Sequence, residues 1–407
     1  MRYGLIGEKL GHSFSKIIHE SFAPYEYELK EIAKNDLDAF MIKREFHAIN
    51  VTIPYKQEVM KYLYYIDENA KKIGCVNTIV NRDGKLYGYN TDFSGLRRQI
   101  LKNGFDLTGK KVLILGTGGT SKTAFAVAES LGAKEIYKVS RSGEVHYENV
   151  KTLHADASFI INTTPCGMYP NNDSSALEPH GFYNLEGVID VVFNPLETKI
   201  ARQAKKMGIK SCCGLYMLVS QAVLASETFL DTKYSEETFD KAYDFVLSQK
   251  RNIVLTGMPG SGKSTIGKAL AEKTGKEFVD TDELVKANEG KEISDIFALF
   301  GEAYFRDAES KAIEEVSKRN GLIIATGGGA VLREKNIDFL SGNGKIFFLN
   351  RPLEDILPTD DRPLSKDREA LEKRFHERYE TYKNTADEEI FVDGIVENSV
   401  NQIIKKL

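Results

Sequence analysis

The sequence predicts an α/β protein built on mostly parallel sheets. Short apolar runs alternate with helix-compatible stretches along the whole chain, which is typical of repeated strand–helix units. Two glycine-rich segments, residues 116–119 and 257–262, each follow an apolar run and precede a helix-compatible stretch. A strand that leads through glycines into a helix commonly binds phosphate groups. We therefore expect two nucleotide-binding units in one chain.

Composition narrows the class of protein. The 407 residues are 42% apolar and 28% charged, and the formal net charge is only −4, with no long run of one sign. This balance gives no electrostatic support for a nucleic-acid or membrane-surface partner. No apolar run approaches the ~20 residues that span a bilayer, and the opening residues lack the pattern of a signal peptide. Four cysteines are too few for a disulfide scaffold, so we expect reduced thiols in a cytoplasmic protein.

The strand-like runs divide the chain into domains. In the first half they cover residues 3–6, 48–53, 112–115, 136–139, 159–161 and 187–192, and a helical pattern from 215 to 229 closes this half. Residues 231–250 are charged and helix-compatible, and a fresh strand follows them. The predicted boundaries are 1–95, 96–230 with its helix 215–230 packing back on the first domain, a linker at 231–250, and 251–407.

The second glycine segment fits the pattern G-x-x-x-x-G-K-[ST]. Consecutive backbone N–H groups of such a loop converge on phosphate oxygens, and the helix that follows adds positive potential. Lys263 would reach the transferred phosphate, and Ser264 would help to hold Mg²⁺. The expected nucleotide-binding residues of this loop are Gly260, Gly262, Lys263, Ser264 and Thr265.

Two carboxylates follow the next strand at alternate positions. Asp280 and Asp282 therefore project to the same side, where one can lie by a metal and the other can meet an acceptor hydroxyl. Acidic pairs more often only solvate a loop, but the preceding phosphate loop favours the functional interpretation. Further along come Arg306, a glycine triplet at 327–329, and Arg378.

Taken in this order, these motifs resemble shikimate kinase across residues 251–407. The resemblance implies that Asp280 lies near Mg²⁺ and that Asp282 binds and activates the 3-hydroxyl of shikimate. It also implies that Arg306 and Arg378 hold the shikimate carboxylate, which suits a guanidinium that donates two parallel hydrogen bonds. The remaining implied contacts are Gly328 to shikimate and Arg362, in a mobile lid, to the ATP phosphates.

The segment departs from the family pattern at two places. The stretch 349–362 is shorter than usual and lacks the family's additional lid arginine, which puts lid contacts in doubt. Glu380 stands where a proline is common, and we expect little consequence from it.

The first glycine segment fits G-x-G-x-x-S and predicts a Rossmann-like dinucleotide domain. After the next strand comes Ser140-Arg141-Ser142 in place of the acidic residue that usually grips the ribose of NAD. An arginine with flanking hydroxyls suits the 2′-phosphate of NADPH. The alternative is that Arg141 is only a surface residue in a turn.

Polar residues in the N-terminal region indicate proton chemistry. Lys56 and Asp92 each follow a strand-like run, so they can converge at one cleft. A lysine beside a carboxylate can deliver or accept a proton at a hydroxyl while the carboxylate orients it. Considered as a pair alone, they would more often form a surface salt bridge.

The ordered motifs of residues 1–250 resemble shikimate dehydrogenase. The motifs that carry the resemblance include His12-Ser13-Phe14-Ser15, residues 50–56, 190–198 and 214–221. Phe193 stands where the family commonly has a tyrosine that contacts the substrate. The resemblance implies that Lys56 and Asp92 are the catalytic pair. It implies shikimate binding by Ser13, Ser15, Thr52, Asn77 and Gln221, and cofactor binding by Gly116, Gly118, Gly119, Thr120, Ser140, Arg141 and Gly214.

Together the two resemblances imply consecutive reactions on small molecules. NADPH would reduce 3-dehydroshikimate to shikimate, and ATP with Mg²⁺ would phosphorylate the 3-hydroxyl of the product. A monomer is the simplest expectation, although the sequence does not fix the oligomeric state. One alternative is a quinate/shikimate dehydrogenase joined to another small-molecule kinase. A second is an inactive ligand-sensing regulator, against which stand the presence of Lys56, Asp92, Lys263 and Asp282 and the lack of a helix-turn-helix pattern.

Overall fold

The computed structural model describes residues 1–11, 13–356 and 368–407. The chain divides into two compact units, Met1–Leu247 and Ser248–Leu407. Arg362, predicted to contact ATP, lies outside the described residues. Among the residues that are described, no helix is both long and apolar enough to cross a membrane.

The first unit begins with a six-stranded sheet in the order β2-β1-β3-β5-β6-β4. Its strands β1, β2 and β3 are parallel, whereas β5 runs antiparallel to β3 and β6. Asp83 and Gly84 join β5 to β6 with positive φ angles of 50° and 78°, which suits a tight two-residue hairpin. The strands are β1 Tyr3–Gly7, β2 Glu28–Glu31, β3 Ala48–Val51, β4 Tyr65–Ile66, β5 Thr78–Arg82 and β6 Lys85–Tyr89, and the helices are α1 Ser15–Phe22, α2 Leu37–Lys43 and α3 Glu68–Ile73.

A second sheet of the same unit is wholly parallel, in the order β11-β10-β9-β7-β8. Strands β9 and β10 are buried at every position, as expected where helices cover both faces. Ligands of such sheets bind outside the carboxyl ends of the strands. The elements are α4 Thr91–Lys102, β7 Lys111–Leu115, α5 Gly119–Ser130, β8 Glu135–Val139, α6 Val150–Leu153, β9 Phe159–Asn162, β10 Gly187–Asp190, α7 Lys199–Lys206 and β11 Lys210–Cys212.

Two further helices follow, α8 at Leu215–Leu230 and α9 at Glu236–Lys250, and the first unit ends within α9 at Leu247. Helix α8 packs closely on α4. A Cβ at Gly95 of α4 would lie only 2.9 Å from the carbonyl oxygen of Met217 in α8, so the glycine allows this close approach. The segment 231–250, predicted as a linker, instead contributes helix α9 to the packed core. Its residues Phe239, Ala242 and Val246 follow helical spacing and are buried against α8.

The second unit contains a wholly parallel sheet in the order β13-β14-β12-β15-β16. Strand β12 lies at its centre and leads directly into the glycine loop. The described elements are β12 Asn252–Thr256, α10 Lys263–Thr274, β13 Phe278–Asp280, α11 Thr281–Glu289, α12 Ile293–Ser317, β14 Ile323–Ala325, α13 Glu334–Asn343, β15 Gly344–Asn350, α14 Arg368–Thr385, β16 Glu388–Phe391 and α15 Val396–Lys405. The predicted α/β fold with mostly parallel sheets is confirmed.

Candidate active sites

A cavity of about 430 Å³ in the first unit gathers residues from both of its sheets. The side facing the second sheet includes Thr120 and Gly214 from the predicted cofactor group. The predicted substrate-binding and catalytic residues all line it, namely Ser13, Ser15, Thr52, Lys56, Asn77, Asp92 and Gln221.

Lys56 and Asp92 form an ion pair inside this cavity. Lys56 lies in the loop after β3, Asp92 is the second residue of α4, and Lys56 Nζ lies 2.6 Å from Asp92 Oδ2. Burial lowers the pKa of Lys56, but the charge and hydrogen bond of Asp92 outweigh it, so the pKa is raised overall. Lys56 is therefore a protonated ammonium group that remains 29% exposed to the cavity and can donate a proton.

Hydrogen bonds hold the neighbouring polar groups in fixed orientations. The buried Asn77 side chain accepts from Thr91 N at 2.8 Å and donates to Thr91 Oγ1 at 3.1 Å. Asn50 donates to Thr78 Oγ1 at 3.0 Å and accepts from the hydroxyl of Tyr27 at 2.7 Å. Because these groups are mutually satisfied, the cavity is prepared before a ligand arrives.

The first glycine segment joins β7 to α5 at the carboxyl edge of the second sheet. Gly116 has a φ of +105°, a conformation that favours glycine, and its amide donates to Val139 O at the end of β8 at 2.8 Å. A Cβ at Gly118 or Gly119 would meet no atom within 4 Å, so open space adjoins the N-terminus of α5. Such a helix end can bind the phosphates of a dinucleotide.

Ser140 and Arg141 follow β8 at this edge but do not line the substrate cavity. The Ser140 amide donates to Val145 O at 3.2 Å, and Arg141 is exposed. The structure therefore brings the two residues to the glycine-loop side of the sheet, where an accessible guanidinium can meet a ligand phosphate.

A buried carboxylate joins the loops that follow β9 and β10 in the first unit. Asp190 lies at the end of β10, and each of its two carboxylate oxygens accepts a hydrogen bond from Asn162 Nδ2 at 3.0 Å. The carboxylate also accepts from Thr198 Oγ1 at 2.7 Å and from Val192 N at 2.9 Å. Asn162 in turn accepts from both the amide and the hydroxyl of Thr164. Burial raises the pKa of Asp190 to about 6 against the opposing hydrogen bonds. No role was predicted for this residue from the sequence, although an acidic side chain at the end of an otherwise apolar strand must find hydrogen-bond partners when it is buried.

Phe193 forms an apolar part of the cavity wall. Its ring packs perpendicular to that of Phe14, with 6.2 Å between the ring centroids, and both residues line the cavity. The wall consequently lacks the phenolic hydroxyl that a tyrosine would provide at residue 193.

A second cavity, of about 420 Å³, lies in the second unit at the carboxyl ends of its strands. It brings together every predicted residue of this unit that falls within the described ranges. These residues are Gly260, Gly262, Lys263, Ser264, Thr265, Asp280, Asp282, Arg306, Gly328 and Arg378.

The glycine loop of this cavity has the geometry of a phosphate cradle. Gly257, Gly260 and Gly262 have positive φ angles of 142°, 85° and 96°, which other residues adopt at a cost. Lys263 Nζ donates to the carbonyl oxygens of Gly257 and Met258, each at 2.9 Å. The ammonium is thus held over the loop.

Ser264 and Asp280 provide hard oxygen ligands suited to Mg²⁺. Ser264 Oγ donates to Asp280 Oδ2 at 2.7 Å, while Asp280 Oδ1 accepts from the amide of Asp282 at 3.0 Å. The described residues include no cluster of three or more acidic, histidine or cysteine side chains that could hold a metal. Mg²⁺ does not require one, because it is commonly bound by one or two carboxylates together with phosphates and water. The residues present therefore fit the ion.

Asp282 is partly buried and incompletely paired. Burial and then the charges of Asp280 and Glu309 raise its pKa to about 6, against the opposing charges of Lys263 and Arg306. Asp282 Oδ1 and Glu309 Oε1 have no hydrogen-bond partner among the described residues. A Cβ at residue 327 would lie 2.6 Å from each of these oxygens, so only a glycine fits beside the two carboxylates.

Two arginines frame the same space. Arg306 Nη1 donates to Glu309 at 2.9 Å, and Arg378 Nη1 donates to Gly328 O at 3.1 Å. A Cβ at Gly329 would lie 2.2 Å from Arg306 Nη1, so the glycine triplet lets the guanidinium approach the backbone. The Tyr382 hydroxyl also donates to Gly328 O.

The cavity contains two further arginines that the sequence did not assign. Arg374 precedes Arg378 by one helical turn, and this spacing on α14 could have indicated it. Arg351 directly follows β15, a position that commonly faces the ligand in parallel sheets.

Comparison with known proteins matches each unit separately. A family described as the shikimate dehydrogenase substrate binding domain matches residues 5–79, and the shikimate kinase family matches residues 259–407. The NADP(+) shikimate dehydrogenase of Clostridium perfringens strain SM101 is 37% identical over 272 residues, which covers 60% of this chain and 97% of the relative.

Solved structures show the same similarity. A chorismate mutase/shikimate 5-dehydrogenase fusion protein from Clostridium acetobutylicum is 36% identical, with a TM-score of 0.57, covering 60% of this chain and 96% of that one. Shikimate dehydrogenase 1 from Peptoclostridium difficile is 39% identical, with a TM-score of 0.55 and coverages of 60% and 98%.

Fold, cavity and relatives together define an NADP-dependent oxidoreductase followed by a P-loop kinase. The chain belongs to the shikimate dehydrogenase family and carries a shikimate kinase domain in its second unit, which makes it a bifunctional enzyme.

Proposed function

We propose that the first unit reduces 3-dehydroshikimate to shikimate with NADPH and that the second unit transfers phosphate from ATP to the shikimate 3-hydroxyl. The observation that carries the first step is the 2.6 Å ion pair between Lys56 and Asp92 in a cavity that also reaches the cofactor edge. The two steps fit each other chemically, because reduction of the ketone creates the hydroxyl that the kinase phosphorylates.

In the first unit, we assign substrate binding to the hydroxyl and amide groups that line the cavity. NADPH, when bound, supplies the hydride that reaches the carbonyl carbon. Lys56 gives its proton to the carbonyl oxygen, so that the ketone becomes a hydroxyl and no alkoxide is left in the cavity. Asp92 orients the ammonium and stabilises its charge before the transfer. The proposed substrate ligands are Ser13, Ser15, Thr52, Asn77 and Gln221.

We assign cofactor binding to the carboxyl edge of the second sheet. The open N-terminus of α5 would receive the diphosphate, and the exposed Arg141 would pair with the 2′-phosphate that distinguishes NADPH from NADH. The proposed cofactor residues are Gly116, Gly118, Gly119, Thr120, Ser140, Arg141 and Gly214.

In the second unit, Asp282 accepts the proton of the 3-hydroxyl as its oxygen bonds to the terminal phosphorus of ATP, and the bond from that phosphorus to the bridging oxygen breaks so that ADP leaves. The raised pKa of Asp282, its place on the cavity wall and its unpaired Oδ1 support this assignment. Lys263 stabilises the transferred phosphate, and the glycine loop cradles the rest of the triphosphate. Arg306 and Arg378 take the shikimate carboxylate. Ser264 and Asp280 would hold Mg²⁺, which when bound offsets phosphate charge.

The first test is a coupled assay on the purified chain. NADPH oxidation should depend on 3-dehydroshikimate, and ADP release should depend on shikimate. A panel of acceptors that includes quinate separates this proposal from a broad dehydrogenase joined to another kinase. Equal turnover of quinate, or ADP release that shikimate does not stimulate, would contradict the proposal.

We also propose a cytoplasmic, monomeric enzyme. All four cysteines are free thiols, which fits a reducing compartment.

A further inference from the structure

The kinase cavity contains more positive charge than the proposed function uses. Among the described residues, five cationic side chains line it, and Lys263, Arg306 and Arg378 already have assignments. Arg351 and Arg374 remain. Because the two substrates are both anionic, the question is which substrate each remaining arginine faces.

The backbone places Arg351 on the nucleotide side. Strand β15 pairs with β12 up to Thr256 and Phe348, and Arg351 follows β15 immediately. A Cβ at Gly257, the first glycine of the loop, would lie 2.8 Å from Leu349 O. The chain therefore touches the phosphate loop two residues before Arg351.

Arg374 lies near the two arginines assigned to the other substrate. It lies one turn from Arg378 on α14, and burial followed by the charge of Arg378 lowers its pKa. It therefore belongs to the group of guanidinium groups assigned to the shikimate carboxylate, and we do not associate it with the nucleotide.

The side chain of Arg351 contains a donor that the protein does not satisfy. Its Nε is buried and has no acceptor within the ranges that the structure describes. Buried N–H groups are nearly always paired in native proteins, and this one belongs to a residue on the cavity wall, where a bound ligand can accept from it. A guanidinium suits a phosphate in particular, because its planar fork donates two parallel hydrogen bonds to adjacent oxygens.

We propose that Arg351 donates hydrogen bonds to a phosphate group of the bound nucleotide. It supplies this charge from the end of a sheet strand, close to the phosphate loop. The segment 349–362 is also the stretch whose length is reduced relative to the resembled family. A cation fixed at the strand end thus provides a phosphate contact there. The proposal rests on ATP as the phosphate donor and is independent of which hydroxyl is phosphorylated.

The test compares nucleotide binding by full-length variants. Arg351→Met keeps much of the side-chain length without the charge, and Arg351→Lys keeps the charge without the planar fork. Arg319→Met is the matched control, because Arg319 is an exposed arginine of the same unit that pairs with Glu277. Calorimetry measures dissociation constants for ADP with Mg²⁺, for adenosine and for shikimate, and dehydrogenase activity reports on the folding of the first unit.

We expect Arg351→Met to weaken ADP binding roughly 10- to 100-fold, the range for losing a charge-assisted hydrogen bond. Adenosine and shikimate binding should not change, Arg351→Lys should be intermediate, and Arg319→Met should match the wild type. Unchanged ADP binding in Arg351→Met would overturn the proposal. An equal loss of adenosine affinity would also overturn it, because it would indicate a packing defect. A loss of affinity for shikimate alone would overturn it as well. If the wild type binds ADP but does not phosphorylate shikimate, the proposed acceptor fails while this test still stands.

Discussion

Replacing Asp190 by asparagine is expected to change how the stability of the first unit depends on pH. The carboxylate is fully buried, and the groups that donate to it are the neutral side chains of Asn162 and Thr198 and the backbone amide of Val192. Asparagine has nearly the same shape and retains one acceptor oxygen. The substitution therefore removes the ionisation while leaving most of the packing in place.

The sign follows from the raised pKa. Burial raises the pKa of Asp190 from an ordinary value of 3.8 to about 6, so the unfolded chain ionises first as the pH rises. Between these values the native state binds more protons than the unfolded state, and stability therefore falls with increasing pH. Across the interval from about pH 4.5 to about pH 7.5, this contribution removes about 2 kcal/mol from the free energy of unfolding. The Asp190→Asn variant lacks this loss.

The measurement is a urea titration of both proteins at the two pH values. A short protease pulse at each urea concentration, followed by quantification of peptides from residues 1–247, reports on the first unit alone. The stability of Asp190→Asn relative to wild type should rise by about 2 kcal/mol between the acidic and the neutral titration. Asp173→Asn is the control, because the Asp173 side chain is 69% exposed. Parallel curves for Asp190→Asn and wild type would refute the reasoning.

Four further changes test the assigned sites. Lys56→Ala should lower dehydrogenase turnover roughly 10²- to 10⁴-fold, with a much smaller change in shikimate affinity and no change in kinase rate. A near-normal rate of NADP reduction with shikimate would contradict the assignment of Lys56. Arg141→Asp should shift preference from NADPH towards NADH, and a wild type that already prefers NADH would contradict it. Asp282→Asn should abolish shikimate phosphorylation but retain ADP binding, and the opposite pattern would reverse the roles. A fragment of residues 248–407 should be more stable in urea than one of residues 251–407, because the buried Lys250 donates to Asn320 at 3.2 Å; equal midpoints would contradict this.

The features that the sequence predicted well are those set by local chain geometry. The loop from Gly257 to Ser264 needs positive φ angles at particular positions and a strand and helix on either side, and all of these are visible within about fifteen residues. Both loops and their parallel strands were predictable for this reason. Convergence of Lys56 with Asp92 was an inference from strand ends, and the 2.6 Å ion pair confirms that the two side chains meet.

Burial by distant segments was not predictable in the same way. The spacing of Phe239, Ala242 and Val246 is helical, but the surrounding charges suggested a linker, and only α8 shows what their apolar face covers. Arg351 was missed because its position depends on the contact between Leu349 and Gly257, which are distant in sequence. A sequence pattern predicts the spacing of apolar residues in a helix or strand, but it does not show which element packs against them.

Asp190 and Asp282 show how hydrogen bonding separates two uses of the same residue type. Each follows a strand of a parallel sheet closely, and burial raises the pKa of each to about 6. A perturbed pKa alone would therefore mark both residues as catalytic candidates. Both oxygens of Asp190 accept hydrogen bonds from the protein, which leaves no acceptor site for a ligand. Asp282 lines the kinase cavity and keeps Oδ1 without a hydrogen-bond partner among the described residues, so it is the carboxylate of the two that can meet an incoming hydroxyl. The raised pKa reflects burial in both cases, and the unsatisfied oxygen is what distinguishes a reactive group from one that holds the site together.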